Sequence, residues 1–421
     1  MHYQIRSLQR PLNARLRLPG SKSHTNRALL VAALAEGVTT LENALFSDDA
    51  RLFAAALQQL GFEVALQPAS SRMQVTGHGG HIPARQADLF IGNAGTAARF
   101  LTAFLTLGQG EFRLDGVARM RRRPIADLVA ALNHLGAQVT ATSGRPPVQV
   151  QAAGLPGGQT QVRGAVSSQY LSALLMVAPY AAKTVHISVT GELNSRPYID
   201  LTLGVMADFG VGVERDDYAS FQVRPARYQA IDVYPIESDA STASYFFAAP
   251  AICGGQVQVE GLTRHSRQGD LAFLDVLAQM GCQVHDLPDA IQVSGPSRLA
   301  GVQVNLRDLP DTAQTLAAIA PFASSPTTIR GIASARLKET DRVAATCREL
   351  QRLGVQVEEY PDGLKIYPCA QIRPARIRTY DDHRMAMAFA LVGLRLPGIE
   401  IEDPACVAKT FPDYFEYLER L

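Results

Sequence analysis

Five glycines constrain what this chain can fold into. Each closes a helical pattern and opens a strand pattern: Leu60-Gly61-Phe62-Glu63-Val64, Leu135-Gly136-Ala137-Gln138-Val139, Phe209-Gly210-Val211-Gly212-Val213, Met280-Gly281-Cys282-Gln283-Val284 and Leu353-Gly354-Val355-Gln356-Val357. They recur at intervals of 71 to 75 residues. A glycine just past the last turn is the left-handed residue that stops a helix, and a fixed period of this length marks a repeated supersecondary unit. A sixth copy runs to the C-terminus, where Phe411-Pro412-Asp413-Tyr414-Phe415 opens the last helix.

A second series of helices starts at Ser23, Thr96, Ser168, Ser241, Thr312 and His383. Each begins with polar capping residues and then turns apolar, as in Ala28-Leu29-Leu30-Val31-Ala32-Ala33-Leu34. Helices apolar nearly all round belong in a domain interior. Strands such as Val257–Glu260 and Ile399–Glu402 follow them. The unit therefore reads strand–helix–strand–helix–strand–strand. A chain of 421 residues is too long for one core, so the six units divide into two pseudo-symmetric α/β domains of three. The chain crosses near Leu18-Pro19-Gly20 and returns between Val223 and Pro235. The expected domains are residues 19–235, and residues 1–18 with 236–421.

A net charge of +1 gives no global attraction to nucleic acid or a membrane surface. No apolar run approaches the roughly 18–20 residues of a membrane span, and Met1–Arg6 has no apolar signal core. Five cysteines, all from Cys253 onward and without a C-x-x-C pair, read as thiols in a reducing cytoplasm rather than a zinc site. His78-Gly79-Gly80-His81 reads as a surface loop.

The chemistry is expected where the buried helices begin. A helix N-terminus offers unpaired N–H groups, yet contributes only about 0.3–1 kcal/mol toward an anion. Holding a ligand at about 10 μM takes roughly 7 kcal/mol, so cationic side chains must supply the rest. They occur at these starts. Gly20-Ser21-Lys22-Ser23-His24-Thr25-Asn26-Arg27 opens the first helix but lacks the glycines of a Walker loop. Gly92-Asn93-Ala94-Gly95-Thr96 opens the second, where Gly95 permits close backbone approach. Arg119-Met120-Arg121-Arg122-Arg123-Pro124 suits phosphate or carboxylate capture, and has no aromatic interleaving of a nucleic-acid patch. Ser167-Ser168-Gln169 and Ser195-Arg196-Pro197-Tyr198 follow. The second half carries Asp311, then Arg336-Leu337-Lys338-Glu339-Thr340-Asp341-Arg342, Asp382-His383-Arg384 and Lys409. On one helix Lys338 and Glu339 would share a face with Arg342, a spacing that a plain surface salt bridge also explains. Asp311 and Glu339 are the candidate proton-transfer groups among these cations.

These segments resemble the 5-enolpyruvylshikimate-3-phosphate synthases (3-phosphoshikimate 1-carboxyvinyltransferases) of the enolpyruvyl transferase family. The resemblance is carried by Leu18-Pro19-Gly20-Ser21-Lys22-Ser23, Gly92–Ala97, Arg119-Met120 with Arg123-Pro124-Ile125, Lys338–Arg342, Asp382–Met387 and Lys409-Thr410-Phe411-Pro412. It implies a two-domain inside-out α/β barrel of six βαβαββ repeats, with buried parallel helices and outer mixed sheets. It implies transfer of the enolpyruvyl group of phosphoenolpyruvate to the 5-hydroxyl of shikimate 3-phosphate in an interdomain cleft. The transfer proceeds by addition–elimination, in a cytoplasmic monomer with no cofactor or metal.

By matching position, Lys22, Ser23, Arg27, Ser167, Ser168, Gln169, Ser195, Tyr198, Asp311, Ser334 and Lys338 are implied for shikimate 3-phosphate. Lys22, Gly95, Thr96, Arg123, Gln169, Arg342, Arg384 and Lys409 are implied for phosphoenolpyruvate, with Asp311, Glu339 and Lys22 catalytic. Three positions depart from the family pattern: Phe100 where proline is common, Ser334 where asparagine is, and Arg196 in place of lysine. Two other readings stay open. UDP-N-acetylglucosamine enolpyruvyl transferases share the fold but use a loop cysteine, and the matching loop here is Met120–Arg123, with no cysteine before Cys253. A non-catalytic repeat scaffold would not need Asp311 and Glu339 among convergent cations.

Overall fold

A computed structural model describes residues 2–421. It forms two compact units: Gly20–Ile236, and the residues up to Pro19 together with Glu237–Leu421. The fold is a two-domain inside-out α/β barrel of six repeats, helices within and sheets without. The first helices of the repeats are α1 (Lys22–Leu34), α3 (Gly95–Leu105), α5 (Ser168–Val177), α7 (Ala240–Cys253), α9 (Ala313–Ile319) and α11 (His383–Arg395). The second helices are α2 (Asp48–Gln59), α4 (Ala126–His134), α6 (Arg196–Asp208), α8 (Phe273–Gln279), α10 (Arg342–Arg352) and α12 (Tyr414–Leu418).

The first helices are the core. Every residue of α3 is buried, as are His24–Leu34 of α1 and all but the last residue of α11. Within one unit α3 packs on both α1 and α5; within the other α7, α9 and α11 pack on one another. Helices surrounded by protein carry no polar stripe, which explains their all-round apolar composition.

The sheets lie outside and repeat one topology. In the second repeat Gln86–Phe90 pairs parallel with Gln109–Asp115, which pairs antiparallel with Arg145–Ala153, itself antiparallel to Gln138–Thr142. Buried and exposed residues alternate along Arg145–Ala153, one face on the helices and one on solvent. Chain crossings complete two of the sheets, and the N-terminal strand completes a third. Val233–Pro235 supplies the parallel strand of the first repeat beside Glu36–Glu42, and Leu12–Arg17 does so for the fourth beside Gly255–Glu260. The sixth repeat lacks a closing hairpin, and His2–Gln4 fills that place antiparallel to Glu400–Glu402. No helix among the described residues is long and apolar enough to cross a membrane.

The periodic glycines share one cap. In the first repeat the N–H of Phe62 donates to Leu57 O and that of Gly61 to Gln58 O, the paired bonds that close a helix through a left-handed residue. Gly61 has φ +92°, and the glycines of the next four repeats lie between +82° and +102°. The residue before each glycine then accepts a bond from the next strand's approach: Ala84 N to Leu60 O, Gly157 N to Leu135 O, Gln229 N to Phe209 O, Ala300 N to Met280 O, Arg373 N to Leu353 O. The cap that ends one repeat thus fixes the entry to the next.

Candidate active site

In the unit Gly20–Ile236 the polar groups gather at the starts of α1, α3 and α5. Ser21 caps α1 through its Oγ, which accepts from His24 N at 3.4 Å. The His24 ring bonds the Tyr234 hydroxyl at 2.9 Å, and that hydroxyl donates to Asp208 at 2.8 Å, tying the first turn to the crossing strand. Lys22 Nζ lies 3.4 Å from the buried Asp49 carboxylate. Arg27, one turn on, is fully buried. Its Nε donates to Thr202 Oγ1 (2.7 Å), Nη1 to Ser23 O (3.0 Å), and Nη2 to Ser172 Oγ (3.2 Å) and Tyr198 O (3.1 Å).

At the start of α3 the Arg123 guanidinium lies on bare backbone. A Cβ on Gly95 would come within 2.7 Å of Arg123 Cζ, so any larger residue there would push the guanidinium from this place. Arg123 Nη1 donates to Asn93 O at 3.1 Å. The loop behind it is pinned at Pro124 O, which accepts from Arg99 Nη2 (2.7 Å) and the Tyr170 hydroxyl (2.6 Å). Gln169 Nε2 donates to Thr96 Oγ1 at 3.1 Å, joining the starts of α3 and α5, and Ser167 Oγ caps α5. Ser195 stands just before α6 in the left-handed region at φ +58°, a backbone cost of roughly 1 kcal/mol or more for a residue with a Cβ.

The other unit assembles four cations and three carboxylates. Asp311 accepts from Lys338 Nζ, from Arg342 Nη1 at 3.0 Å and from Arg384 Nη2 at 2.8 Å. Burial alone would raise its pKa, but Arg384, Lys338 and Arg342 outweigh burial and hold the carboxyl well below the ordinary carboxylate range. Burial also pulls the Lys338 ammonium below the usual lysine range, against the attraction of Asp311. Arg342 Nη2 reaches Glu339 at 2.8 Å, and Lys409 Nζ lies 3.9 Å from the other Glu339 oxygen. Arg342 Nε donates to Asp382 at 2.7 Å. Asp382 also caps α11, accepting from Arg384 N at 3.0 Å.

Two expectations need correction. Lys338 and Glu339 do not share a helical face with Arg342. A short 3-10 helix, Ala333–Leu337, carries half-buried Ser334, and the backbone bends through Lys338–Thr340. The helix α10 starts at Arg342, because Asp341 caps it by accepting from Ala344 N at 3.0 Å. Lys338 and Glu339 meet Arg342 from a turn rather than from its own helix. The arginine run also divides. Arg121 pairs with Asp115 at 2.7 Å and Arg122 is exposed, so Arg123 is the one of these three turned inward.

The model of the EPSP synthase (3-phosphoshikimate 1-carboxyvinyltransferase) family matches residues 7–418. The chain belongs to the EPSP synthase family. A 3-phosphoshikimate 1-carboxyvinyltransferase from Nostoc punctiforme is 54% identical over 98% of this chain and 97% of its own length. One from Shewanella denitrificans is 49% identical over 97% and 96%. The solved EPSP synthase from Acinetobacter baumannii superposes with a TM-score of 0.84 at 25% identity, covering 100% of this chain and 98% of its own. The enolpyruvyl transferase NikO from Streptomyces tendae, at 19% identity and TM-score 0.80, shares the fold. As an EPSP synthase family member the chain is a transferase.

Within this EPSP synthase framework, sequence reasoning missed the carboxylates that hold the cations in place. Asp49 beside Lys22 and Asp382 beside Arg342 are contacts across 27 and 40 positions. The cap position of Asp382, just before His383-Arg384, was the one local signal. The fourth repeat differs from the others. Gln268 Oε1 accepts from Ala240 N at 3.0 Å and Asp270 accepts from the Ser241 hydroxyl, so protein groups fill that helix start.

Proposed function

We propose that the chain transfers the enolpyruvyl group of phosphoenolpyruvate to the 5-hydroxyl of shikimate 3-phosphate, releasing phosphate, as a cofactor-free cytoplasmic monomer. The observation that carries this reading is the pairing of Asp311 with Lys338, Arg342 and Arg384. Each substrate bears a phosphate and a carboxylate, and the cations now held by Asp311 and Glu339 are the partners such anions require.

Shikimate 3-phosphate is assigned to Lys22, Ser23, Arg27, Ser167, Ser168, Gln169, Ser195, Tyr198, Asp311, Ser334 and Lys338. Phosphoenolpyruvate is assigned to Lys22, Gly95, Thr96, Arg123, Gln169, Arg342, Arg384 and Lys409. Each set draws on both units, so catalysis requires residues 19–235 and residues 1–18 with 236–421 to act together on one pair of substrates.

In the addition, the 5-hydroxyl oxygen bonds to C2 of phosphoenolpyruvate as its proton passes to Asp311. A proton from Glu339 adds to the methylene carbon. In the elimination, the C2–O bond to phosphate breaks as a proton leaves that same carbon, restoring the enol ether. Asp311 is a weak base while three cations hold it. Substrate anions that draw off Arg342 and Arg384 raise its basicity when the hydroxyl is in place. Fixed cations meet the charge that develops, and closure keeps water from the enol ether.

The test is phosphate release by the purified chain. It should occur from phosphoenolpyruvate only when shikimate 3-phosphate is present. Asp311→Ala should retain substrate binding and lose about 10²- to 10⁴-fold in turnover, the usual contribution of a general base. Turnover of UDP-N-acetylglucosamine instead, or full activity in the variant, would refute the reading.

A further inference from the structure

Arg27 carries a buried charge that no carboxylate in the described structure neutralises. Its relative exposure is 2%, and four of its five N–H groups go to neutral acceptors on Thr202, Ser23, Ser172 and Tyr198. A desolvated, unpaired ion costs several kcal/mol unless something else compensates its charge. Burial has pushed the Arg27 pKa down to about 10, which leaves the group charged at neutral pH.

Two aromatic rings supply part of the compensation. The Phe100 centroid lies 5.3 Å from Arg27 Cζ and the Tyr198 centroid 5.9 Å. Both distances fall within reach of a cation–π attraction, which is strongest where water is excluded. Phe100 itself is 0% exposed. It sits on α3, whose first turn carries Gly95 and Thr96, yet its ring faces Arg27 on α1. The position where proline is common in the family thus bears on the first helix, although its sequence neighbours lie in the segment assigned to phosphoenolpyruvate.

We propose that Phe100 is a positioning residue for shikimate 3-phosphate: its ring face steadies the Arg27 guanidinium, so that Arg27 can meet an anion without a protein carboxylate having to be displaced. The inference rests on the functional reading above, in which Arg27 holds the shikimate moiety. It separates Arg27 from Asp311, Arg342 and Arg384, whose internal ion pairs must be exchanged for substrate. It also assigns the departure at Phe100 to affinity for one substrate rather than for both.

Fluorination of the ring tests this with little change in shape. Replacing Phe100 by its mono-, di- and trifluoro analogues drains the negative face of the ring while nearly conserving volume. The dissociation constant of shikimate 3-phosphate, measured by calorimetry without phosphoenolpyruvate, should rise with each fluorine, by about 2- to 30-fold in all. The KM for phosphoenolpyruvate at saturating shikimate 3-phosphate should stay near the parent value. A dissociation constant indifferent to fluorine, or a KM for phosphoenolpyruvate that rises in parallel with it, would overturn the inference alone. A parent chain with no affinity for shikimate 3-phosphate would overturn the functional reading, and this inference with it.

Discussion

Arg342 shows how much one side chain organises. Its three nitrogens serve Asp382, Glu339 and Asp311, carboxylates that enter from three parts of the chain. Burial disfavours its charge, but Asp382, Glu339 and Asp311 outweigh burial and strengthen its hold on the proton. Two buried carboxylates of this unit titrate in opposite directions. Asp311 is held ionised by cations, whereas burial, with the nearby charge of Asp311, pushes the Asp270 carboxyl up to about 6. An unfolded aspartate titrates near 3.9, so the folded state binds the Asp270 proton more tightly between about pH 4 and 6. The stability this contributes is full below about pH 4 and lost as pH rises through about 6. Asp270→Asn, neutral at every pH, should match the parent near pH 4 and exceed it at pH 8 by on the order of 3 kcal/mol in chemical denaturation. Equal stability at pH 8 would contradict that account. The sequence made the cations and Asp311 legible as candidates. It could not show which carboxylates hold them, since those contacts join residues distant along the chain.

At the scale of elements the sequence was most informative, and the reason is local. A helix that ends through a left-handed residue needs glycine there, so five equivalent ends produce five visible glycines. Gly136 has φ +91°, and a Cβ on it would come within 2.7 Å of Pro156. Gly136→Ala should therefore lower stability by roughly 1–3 kcal/mol. Gly212→Ala, at a site with nothing within 4 Å and no positive φ, should stay within about 0.5 kcal/mol of the parent. Equal effects of the two changes, read from denaturation midpoints, would show that the caps do not set the repeat. Helix starts were harder to place. The i,i+4 spacing of Lys338 and Arg342 suggested one helix, but Asp341 caps there and puts Lys338 in the preceding turn. Spacing alone does not distinguish a helical face from a turn that leads into a helix.

At the scale of the molecule, repetition explains how an unremarkable net charge coexists with concentrated cations. Six buried helices present six starts, and divergence gave them different roles. The fourth is filled by Gln268 and Asp270, while the first to third, fifth and sixth carry or adjoin the candidate residues. Lys22, Arg123 and Gln169 lie in one compact unit, and Asp311, Arg342, Arg384 and Lys409 in the other. The central claim is that these two groups act on a single pair of substrates. A crystal structure of the chain with shikimate 3-phosphate and a phosphoenolpyruvate analogue tests it most directly. The account predicts ligand atoms within hydrogen-bond distance of Lys22, Arg123 and Gln169 and also of Arg342 and Arg384, with Asp311 released from at least one arginine and facing the 5-hydroxyl. Ligands contacting only one unit, or an Asp311 still held by all three cations, would contradict it.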